Sequence, residues 1–355
     1  MAFDIYKTKT MLAAVKQMEP VHSFLRDRYA PTTDGDIFPT DEVLVEYKDG
    51  TNKKMAPVVI NGVSGITVDR NGYETFRMEP PTVSVKRPLT VDDLRKKGFG
   101  ENLYSEMKPA QRQQMLLAQD LVEMDEMHTN REEYIVSKLL FENGYTLDQY
   151  VDDYGKTGKP YVMKFYSEGA NPATYTPGTK WNAAESDKMA DLHIMIKMLT
   201  TAGNAATDVL LGADAADALM DDAKIKELMD INRYDIGNIA PQLMADGAAL
   251  LGVLNVRGRH INLITYDGTY KDEKDGEIKP YIPAKSICVT APGAARGLYG
   301  CVTQMEQSIG EFESYMGRRV PRYWFDKDGR EIQLSAKPLF IPRTKNPFIS
   351  AAVLV

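Results

Sequence analysis

The chain has 355 residues, of which 43% are hydrophobic and 26% charged, and its formal net charge is −7. This balance is typical of globular proteins and excludes a disordered chain. The length allows two or three compact units, and the sequence has no apolar run long enough to span a membrane. The acidic balance argues against a nucleic-acid-binding protein, which normally carries a basic stripe to neutralise phosphates.

The first 40 residues are predicted to form a short amphipathic opening and a polar arm. The opening ends in Phe24 and Leu25, and the arm reads YAPTTDGDIFPT. Pro31, Gly35 and Pro39 interrupt the arm, which favours an extended strap over a packed helix.

Residues 42–88 contain five short apolar runs, namely VLVEY, APVVI, GITVD, YETFRM and TVSVKR. Asp-Gly and Asn-Gly pairs separate several of these runs and fit hairpin turns. The stretch has little apolar density for a core of its own, so we predict a projecting β-hairpin that a partner covers. A small β-subdomain packed on its own chain is the alternative.

A long helix is predicted over residues 108–142. Pro109 suits the first turn, and Asn143-Gly144 supplies a stop. Apolar residues and one histidine recur between them at steps of three and four, at Leu117, Leu121, Met124, His128, Ile135 and Leu139. A helix of this length would span about 50 Å.

A strand at 159–166 is followed by a block with α/β patterning at 181–300. Helices are predicted at about 184–201, 213–220 and 223–229. Strands are predicted at 208–211, 248–256, 261–266 and 286–289. Asp-Gly pairs separate several of these elements, as expected for turns.

The last segment, residues 294–355, contains an ordered set of motifs. These are AARGLYGC, QMEQSIGEFES (interpreted as an acidic helix), the aromatic strand GRRVPRYWF, a DKDG turn, the strands of REIQLSAKPLFIPR, and NPFISAAVLV. Free termini usually fray into water, so this apolar end is expected to be held in a sheet or against a neighbour. Gly297 and Gly300 are expected to permit close backbone approach.

The search for catalytic motifs favours a protein that is not an enzyme. The four histidines, His22, His128, His193 and His260, lack metal-ligand spacing. His128 and His193 are therefore interpreted as half-buried helix positions. Nucleophile-elbow, dinucleotide and Walker motifs are missing from the sequence, and Cys288 and Cys301 are predicted to be free and reduced. We predict no cofactor and no metal.

The ordered C-terminal set resembles the C-terminal region of the lambda-type phage major capsid proteins, and the segment order matches over nearly the full length. The resemblance implies an α+β chain with the Hong Kong 97-type capsid fold. It divides the chain into an N-terminal arm (1–41), an extended β-hairpin loop (42–92), a peripheral domain (93–180 and 301–355) with a spine helix (108–142), and an axial α/β domain (181–300). In that family the arm and the loop lie on adjacent subunits.

The function implied by the resemblance is that of a major capsid protein of a tailed double-stranded DNA phage or prophage. Such a chain self-assembles in the host cytoplasm into hexamers and pentamers of an icosahedral virion shell, which matures from a compact procapsid. A scaffolding protein, a portal and, as a further candidate, a decoration protein are the implied partners. The N-terminus lacks a long acidic helical leader, which favours a separate scaffolding protein. DNA would be enclosed without sequence-specific binding, and an acidic lining would let the duplex slide.

Two alternatives remain open from the sequence. One is an encapsulin-like or other phage-derived shell or tube protein, and the other is an unrecognised cytosolic α/β enzyme. Some capsid families also join subunits by a Lys–Asn isopeptide bond. Lys53 and Lys54 lie in the hairpin region, but lambda-type members lack the bond, so both are interpreted as exposed lysines.

Subunit-interface candidates are chosen by residue type and position, because aromatic and arginine side chains are enriched in interface hot spots. On the arm and hairpin they are Phe24, Leu25, Ile37, Phe38, Ile66, Val68, Tyr73, Phe76 and Met78. Near the C-terminus they are Arg318, Arg319, Arg322, Tyr323 and Trp324. Core packing is the alternative for Tyr323 and Trp324.

Overall fold

Five helices and nineteen strands make up the part of the chain that the structure, a computed structural model, describes. The described residues are 8–17, 23–40, 42–48, 73–90, 93, 108–151, 157–165, 174–183, 185–222, 225, 242–243, 247–306, 310–325 and 330–355. The helices are α1 (Thr8–Gln17), α2 (Phe24–Tyr29), α3 (Pro109–Glu142), α4 (Lys188–Thr201) and α5 (Ala213–Met220), with a 3-10 turn at Asp34–Asp36.

The strands form one six-stranded sheet, one three-stranded sheet and five two-stranded ribbons among the described residues. The first ten are β1 (Val43–Lys48), β2 (Tyr73–Met78), β3 (Val83–Leu89), β4 (Gly144–Leu147), β5 (Tyr161–Lys164), β6 (Asp208–Leu211), β7 (Gln242–Leu243), β8 (Ala248–Val256), β9 (Arg259–Tyr266) and β10 (Thr269–Lys271). The others are β11 (Ile278–Pro280), β12 (Ser286–Thr290), β13 (Ala295–Tyr299), β14 (Val302–Glu306), β15 (Glu311–Tyr315), β16 (Val320–Phe325), β17 (Arg330–Ala336), β18 (Pro338–Pro342) and β19 (Ile349–Ala352).

Helix α3 confirms the prediction of a long helix over residues 108–142. Pro109 is its first residue, where the missing N–H costs nothing. Asn143 ends it in the left-handed conformation at φ 56°, and the Asn143 N–H donates to the Leu139 carbonyl at 3.1 Å. With 34 residues the helix is about 50 Å long.

The two halves of α3 pack against different cores. Leu121 and Met124 in the first half contact the three-stranded sheet, ordered β16-β17-β3. Ile135 and Leu139 in the second half are fully buried in another apolar cluster, which also contains residues of α2 and of β12. Helix α3 therefore connects two cores along one rod.

The α/β block is built on the six-stranded sheet, ordered β19-β12-β6-β9-β8-β7. Strand β6 is buried at all four positions and runs parallel to β9, while the other neighbours are antiparallel. Buried side chains of α4 and α5, including Leu192, Ile196 and Leu219, share one core with this sheet. The strands and the first two helices predicted for this block are confirmed, and most of the third, 223–229, lies outside the described residues.

The apolar C-terminal segment is held in a sheet of its own chain, the first of the two predicted outcomes. Strand β19 pairs with β12, with Ile349 opposite Val289. The Trp181 N–H also donates to the Val353 carbonyl at 2.9 Å. The last strand thus belongs to the sheet of the 181–300 block. The predicted division placed residues 301–355 in the other domain and did not anticipate this pairing. The domain boundaries themselves stay a prediction.

Close backbone approach occurs at Gly297, as predicted. Strand β13, which contains it, pairs with β18 and lies against the polar arm. A Cβ at Gly297 would lie 2.5 Å from Thr32 Oγ1 and 3.2 Å from the Ala30 carbonyl oxygen. A side chain there would displace the arm, so glycine is required by the packing.

The prediction of an acidic helix at QMEQSIGEFES is wrong. Its described residues, 304–306 and 310–314, belong to the antiparallel hairpin of β14 and β15, with Met305 opposite Phe312. Alternating burial along β14 and the positive φ of Gly310, 74°, are features of a hairpin. The abundant Gln and Glu are good helix formers and suggested a helix, although Gln304 and Glu306 are buried in this hairpin.

Two of the runs predicted between residues 42 and 88 form the antiparallel ribbon of β1 and β2. Its base packs on its own chain, because Val45 and Met78 are buried with Leu298, Leu339 and Ile341. A third run forms β3, which pairs with β17 and so belongs to the three-stranded sheet. The runs APVVI and GITVD lie outside the described residues.

Candidate assembly surfaces

Helix α2 is attached to α3 through the carboxylate of Glu133. The backbone N–H groups of Leu25 and Arg26 donate to Glu133 at 2.8 and 2.9 Å, and the Ser23 hydroxyl donates to the same side chain. These donors lie at the first turn of α2, where N–H groups lack partners within the helix. Burial raises the pKa of Glu133, and the three hydrogen bonds oppose that rise.

A buried ionic cluster lies next to this attachment. Glu132 accepts hydrogen bonds from Arg26 at 3.0 Å and from Arg319 at 2.5 Å, and Arg319 also contacts Asp125 at 2.6 Å. Burial alone would raise the pKa of Glu132, but the two guanidinium groups lower it to about 2. The cluster therefore remains ionised over the ordinary pH range and joins α2, α3 and the segment before β16.

The rest of residues 23–40 also lies on its own chain. Arg28 and Tyr29 donate to the buried Asp208 of β6 at 2.8 and 3.1 Å. The Phe38 N–H donates to the Tyr299 carbonyl at 3.0 Å. Residues 23–40 are thus attached to their own chain, because acids on α3 and β6 supply buried partners there. A contact of this arm with a neighbouring subunit stays a prediction.

The structure brings few of the fourteen interface candidates to the surface. Buried in their own chain are Phe24, Leu25, Met78 and Arg319. Half-buried are Ile37, Phe38, Arg318, Arg322, Tyr323 and Trp324. Outside the described residues lie Ile66 and Val68, together with the side chains of Tyr73 and Phe76. The four buried residues leave little area for a neighbour, and the interface role of the others stays a prediction.

The aromatic strand β16 divides its side chains between two environments. Tyr323 packs against the cluster of Leu121 and Met124, which matches the core-packing alternative. Trp324 lies on the other side, with the Arg322 guanidinium 4.9 Å from its ring centroid. Only the second side can offer an arginine and an aromatic ring to a partner.

An apolar surface that the sequence did not reveal lies on the β14–β15 hairpin. The paired side chains of Met305 and Phe312 are 41% and 75% exposed. They line a cleft of about 300 Å³ with Arg322, whose Nε atom has no hydrogen-bond partner among the described residues. The incorrect helix prediction concealed this surface, because VTQME is apolar only at its first and fourth residues and lacks the alternation that would indicate a strand.

Other exposed apolar side chains are scattered over the described surface. Leu44 on β1 is 68% exposed, and Ile278 and Phe325 are also largely exposed. Large exposed apolar groups that cluster mark interaction sites, whereas single ones are common on any protein. The β14–β15 hairpin, where two exposed apolar side chains lie opposite each other, is therefore the stronger candidate.

Features of a catalytic or membrane site are few in the described part of the chain. Its histidine, cysteine and acidic side chains form no metal-binding group, and none of its helices is apolar and long enough to cross a membrane. Neither Cys288 nor Cys301 is in a disulfide, as predicted, and both are buried. Burial raises the pKa of the Cys288 thiol. His128 is buried on α3 with Nε2 3.0 Å from the Leu334 carbonyl oxygen.

Comparisons with known proteins cover nearly the whole chain. A model of the phage major capsid protein E family matches residues 7–353. A prophage capsid protein of Escherichia coli CFT073 is similar in structure, with a TM-score of 0.64 and 17% identity over 98% of this chain and 99% of that chain. A phage-related protein of Bordetella bronchiseptica RB50 has a TM-score of 0.52 and 7% identity, over 97% and 96% of the two chains. No curated protein sequence matches the chain.

Proposed function

Because this chain belongs to the phage major capsid protein E family and has the Hong Kong 97-type capsid fold, we propose that its copies form hexamers and pentamers of an icosahedral shell around double-stranded DNA. The chain is a structural protein of the phage capsid, and capsid proteins of this family self-assemble into a shell. The observation that carries the proposal is the family match, which spans residues 7–353. That match favours a phage shell over the encapsulin-like and enzyme alternatives.

The proposed partners and domain roles follow from the resemblance. They comprise a scaffolding protein, a portal and a decoration protein, with assembly in the host cytoplasm. The proposed axial domain is the 181–300 block, and the proposed peripheral domain is centred on α3. The six-stranded sheet packs with α4 and α5 in one apolar core and shares a second core with α3, so the two proposed domains are in contact through side chains such as Leu210, Ile264 and Cys288.

We further propose that a second copy of the chain covers the exposed face of the β14–β15 hairpin. Phe312 and Met305 supply apolar area there, and Arg322 supplies an unsatisfied donor beside them. Obligate interfaces commonly bury more than about 2,000 Å² and are centred on such aromatic and arginine anchors. Because the chain is proposed to self-assemble, another copy of it is the partner expected at this surface.

Negative-stain microscopy and sedimentation of the purified full-length chain over a range of concentrations test the proposed function. Rings of five or six copies, or closed shells, are the expected products. A chain that stays monomeric at concentrations of several milligrams per millilitre would contradict the proposal. Co-expression with a scaffolding protein then tests the proposed partner through the uniformity of shell diameter.

A further inference from the structure

A positive surface lies at one end of helix α4, and we call it the basic surface. It consists of Arg257 and Arg259 at the β8–β9 turn and of Lys197 and His193 on α4. The Arg259 Nη1 atom donates to the Thr200 hydroxyl at 2.9 Å, which attaches the turn to the last part of the helix. The two arginines and Lys197 are exposed, while His193 is half-buried.

The charge of the basic surface is not neutralised within the described chain. Lys197, Arg257 and Arg259 form no ion pair with any described carboxylate. The Nδ1 atom of His193 is buried without a described hydrogen-bond partner. Desolvation, and then the charges of Arg257, Arg259 and Lys197, lower the pKa of His193. A local positive field therefore persists on a chain whose net charge is −7.

Arg257 occupies a backbone conformation that favours other residues. Its φ is 49°, and the following Gly258 has a φ of 86°. Asparagine and glycine adopt such left-handed positions of a two-residue hairpin more easily. This turn places the Arg257 side chain at the exposed tip of the β8–β9 hairpin.

A negative surface of the same block lies on α5, and we call it the acidic surface. Asp214 and Asp217, three residues apart, project from the exposed side of the helix, whereas Ala215 and Leu219 are buried against the sheet. Neither aspartate has an ion-pair partner among the described residues. The negative charge of the acidic surface, like the positive charge of the basic surface, is thus not neutralised by ion pairs among the described residues.

The two surfaces lie near opposite ends of α4. Its first residue, Lys188, donates to the Ala218 carbonyl of α5 at 2.6 Å, while Thr200 near its last turn accepts from Arg259. The twelve residue steps between Lys188 and Thr200 correspond to about 18 Å along the helix. The block therefore has a positive end and a negative end.

We propose that the basic surface of one copy contacts the acidic surface of the next copy, so that the α/β blocks join head to tail in a ring. The proposal rests on the proposed function, which requires rings of identical subunits. A two-fold contact centred on either surface would bring like charges together, whereas a head-to-tail contact pairs the basic surface with the acidic surface and, repeated around an axis, closes into a ring. Because the chain itself carries the acidic surface, a second copy is favoured over nucleic acid as the partner of the basic surface. The net negative charge of the chain also repels nucleic acid.

Two charge-reversed chains test the proposal. The first carries Arg257→Glu and Arg259→Glu, and the second carries Asp214→Lys and Asp217→Lys. Each alone is expected to need at least tenfold more protein for half-maximal ring or shell formation, measured by light scattering and microscopy. An equimolar mixture is expected to recover assembly, because opposite charges then meet at every contact between alternating chains. A chain with all four changes is also expected to recover.

The mixture makes a second, geometric prediction. Alternating chains can satisfy every contact in a ring of six, but a ring of five must contain at least one contact between like chains. We therefore expect the mixture to form six-membered rings and few five-membered rings or closed shells. The chain with all four changes is expected to form both.

The fold control is Arg257→Asn, which removes the charge and relaxes the turn. This variant is expected to melt at the same temperature as the unaltered chain or higher, and to assemble several-fold more weakly. Charge-reversed chains that assemble as the unaltered chain does would overturn the proposal, and so would failure of both the mixture and the four-change chain to recover. Loss of binding to a DNA duplex with assembly unchanged would assign the basic surface to nucleic acid instead. Ring formation by the unaltered chain tests the proposed function separately.

Discussion

Helix α2 and the β14–β15 hairpin are both short elements, yet they differ in how much of their apolar surface is buried. Leu25 and Tyr29 of α2 are fully buried, and its first N–H groups meet the carboxylate of Glu133. On the hairpin, Phe312 is 75% exposed and faces a cleft. The N-terminal segment has thus gained its stabilisation within one chain, whereas the hairpin still has apolar area to bury.

This difference separates residues that stabilise the subunit from residues that we propose to stabilise the shell. Covering a side chain such as Phe312 is worth roughly 1.5–3 kcal/mol, and that gain is available only to a partner. Leu25 has already made the equivalent gain on folding. Substitutions in the two elements should therefore affect different measurements.

The largest expected effect is that of Glu132→Ala in the ionic cluster beside α2. It leaves the guanidinium groups of Arg26 and Arg319 buried without their shared carboxylate, so we expect a loss of about 3–5 kcal/mol in the free energy of unfolding. Urea denaturation of the free subunit measures it. Glu142→Gln is the control, because Glu142 is 56% exposed and pairs with Lys138 within the same helix; its expected loss is at most about 0.5 kcal/mol. Equal losses in the two variants would contradict the central role of the cluster.

Leu25→Ala removes apolar contacts of α2 that are made entirely within the chain. We expect the free energy of unfolding to fall by about 2–5 kcal/mol, because the truncated side chain leaves a cavity. Leu44→Ala, at a site that is 68% exposed on β1, is expected to change it by less than about 0.5 kcal/mol. A small effect of Leu25→Ala in the free subunit would mean that α2 is attached only after assembly.

Mild acid should weaken the core beside this cluster through His128. Burial, and then the charge of Arg319, lower the pKa of His128 from 6.5 to about 4. The unfolded chain therefore binds a proton between pH 6.5 and 4 that the folded chain does not, and stability falls as the pH falls through this window. The expected loss is on the order of 3 kcal/mol.

His128→Gln provides the comparison for the acid effect. Glutamine keeps an N–H donor for the Leu334 carbonyl but does not titrate. Denaturation of both proteins at several pH values between 7.5 and 4 measures the difference. Parallel pH profiles for the two proteins would contradict the assignment to His128.

The smallest expected change in subunit stability is that of Phe312→Ser on the hairpin. The free subunit should unfold within about 0.5 kcal/mol of the unaltered chain. The assembly contact should weaken by about 1 kcal/mol or more, which corresponds to a rise of roughly fivefold in the concentration for half-maximal assembly. Glu311→Gln at the neighbouring exposed position is the control. Unchanged assembly with Phe312→Ser would remove the hairpin from the assembly surfaces.

The sequence predicted the elements whose patterns are local. Helix α3 follows from Pro109, Asn143 and its apolar spacing, and strand β8 and helix α5 lie where the periodicity placed them. The attachment of α2 could not be predicted in this way. Its partners, Glu132 and Glu133, lie more than 100 residues away in the sequence, and nothing local distinguishes buried acids from exposed ones.

The β14–β15 hairpin shows that a local sequence pattern can also give a wrong prediction. Gln and Glu residues at QMEQSIGEFES have high helix propensity, but tertiary pairing of β14 with β15 overrides it. The sequence also could not show whether residues such as Arg319 and Phe24 lie in the core or at an interface. Both environments favour large apolar side chains, and both favour arginines that pair with acidic residues. Burial in three dimensions decided between them.

The length of α3 gives the subunit a lever. The helix joins the core of the three-stranded sheet to the core that contains α2, so a tilt of about 5° at one end moves the other end of a rod of about 50 Å by roughly 4 Å. That displacement is close to the width of one side-chain contact. In the proposed shell, a small rotation of α3 at one core would shift the other core by this distance. Neighbouring copies could thus adapt to differences in shell curvature while every backbone hydrogen bond of the helix stays intact.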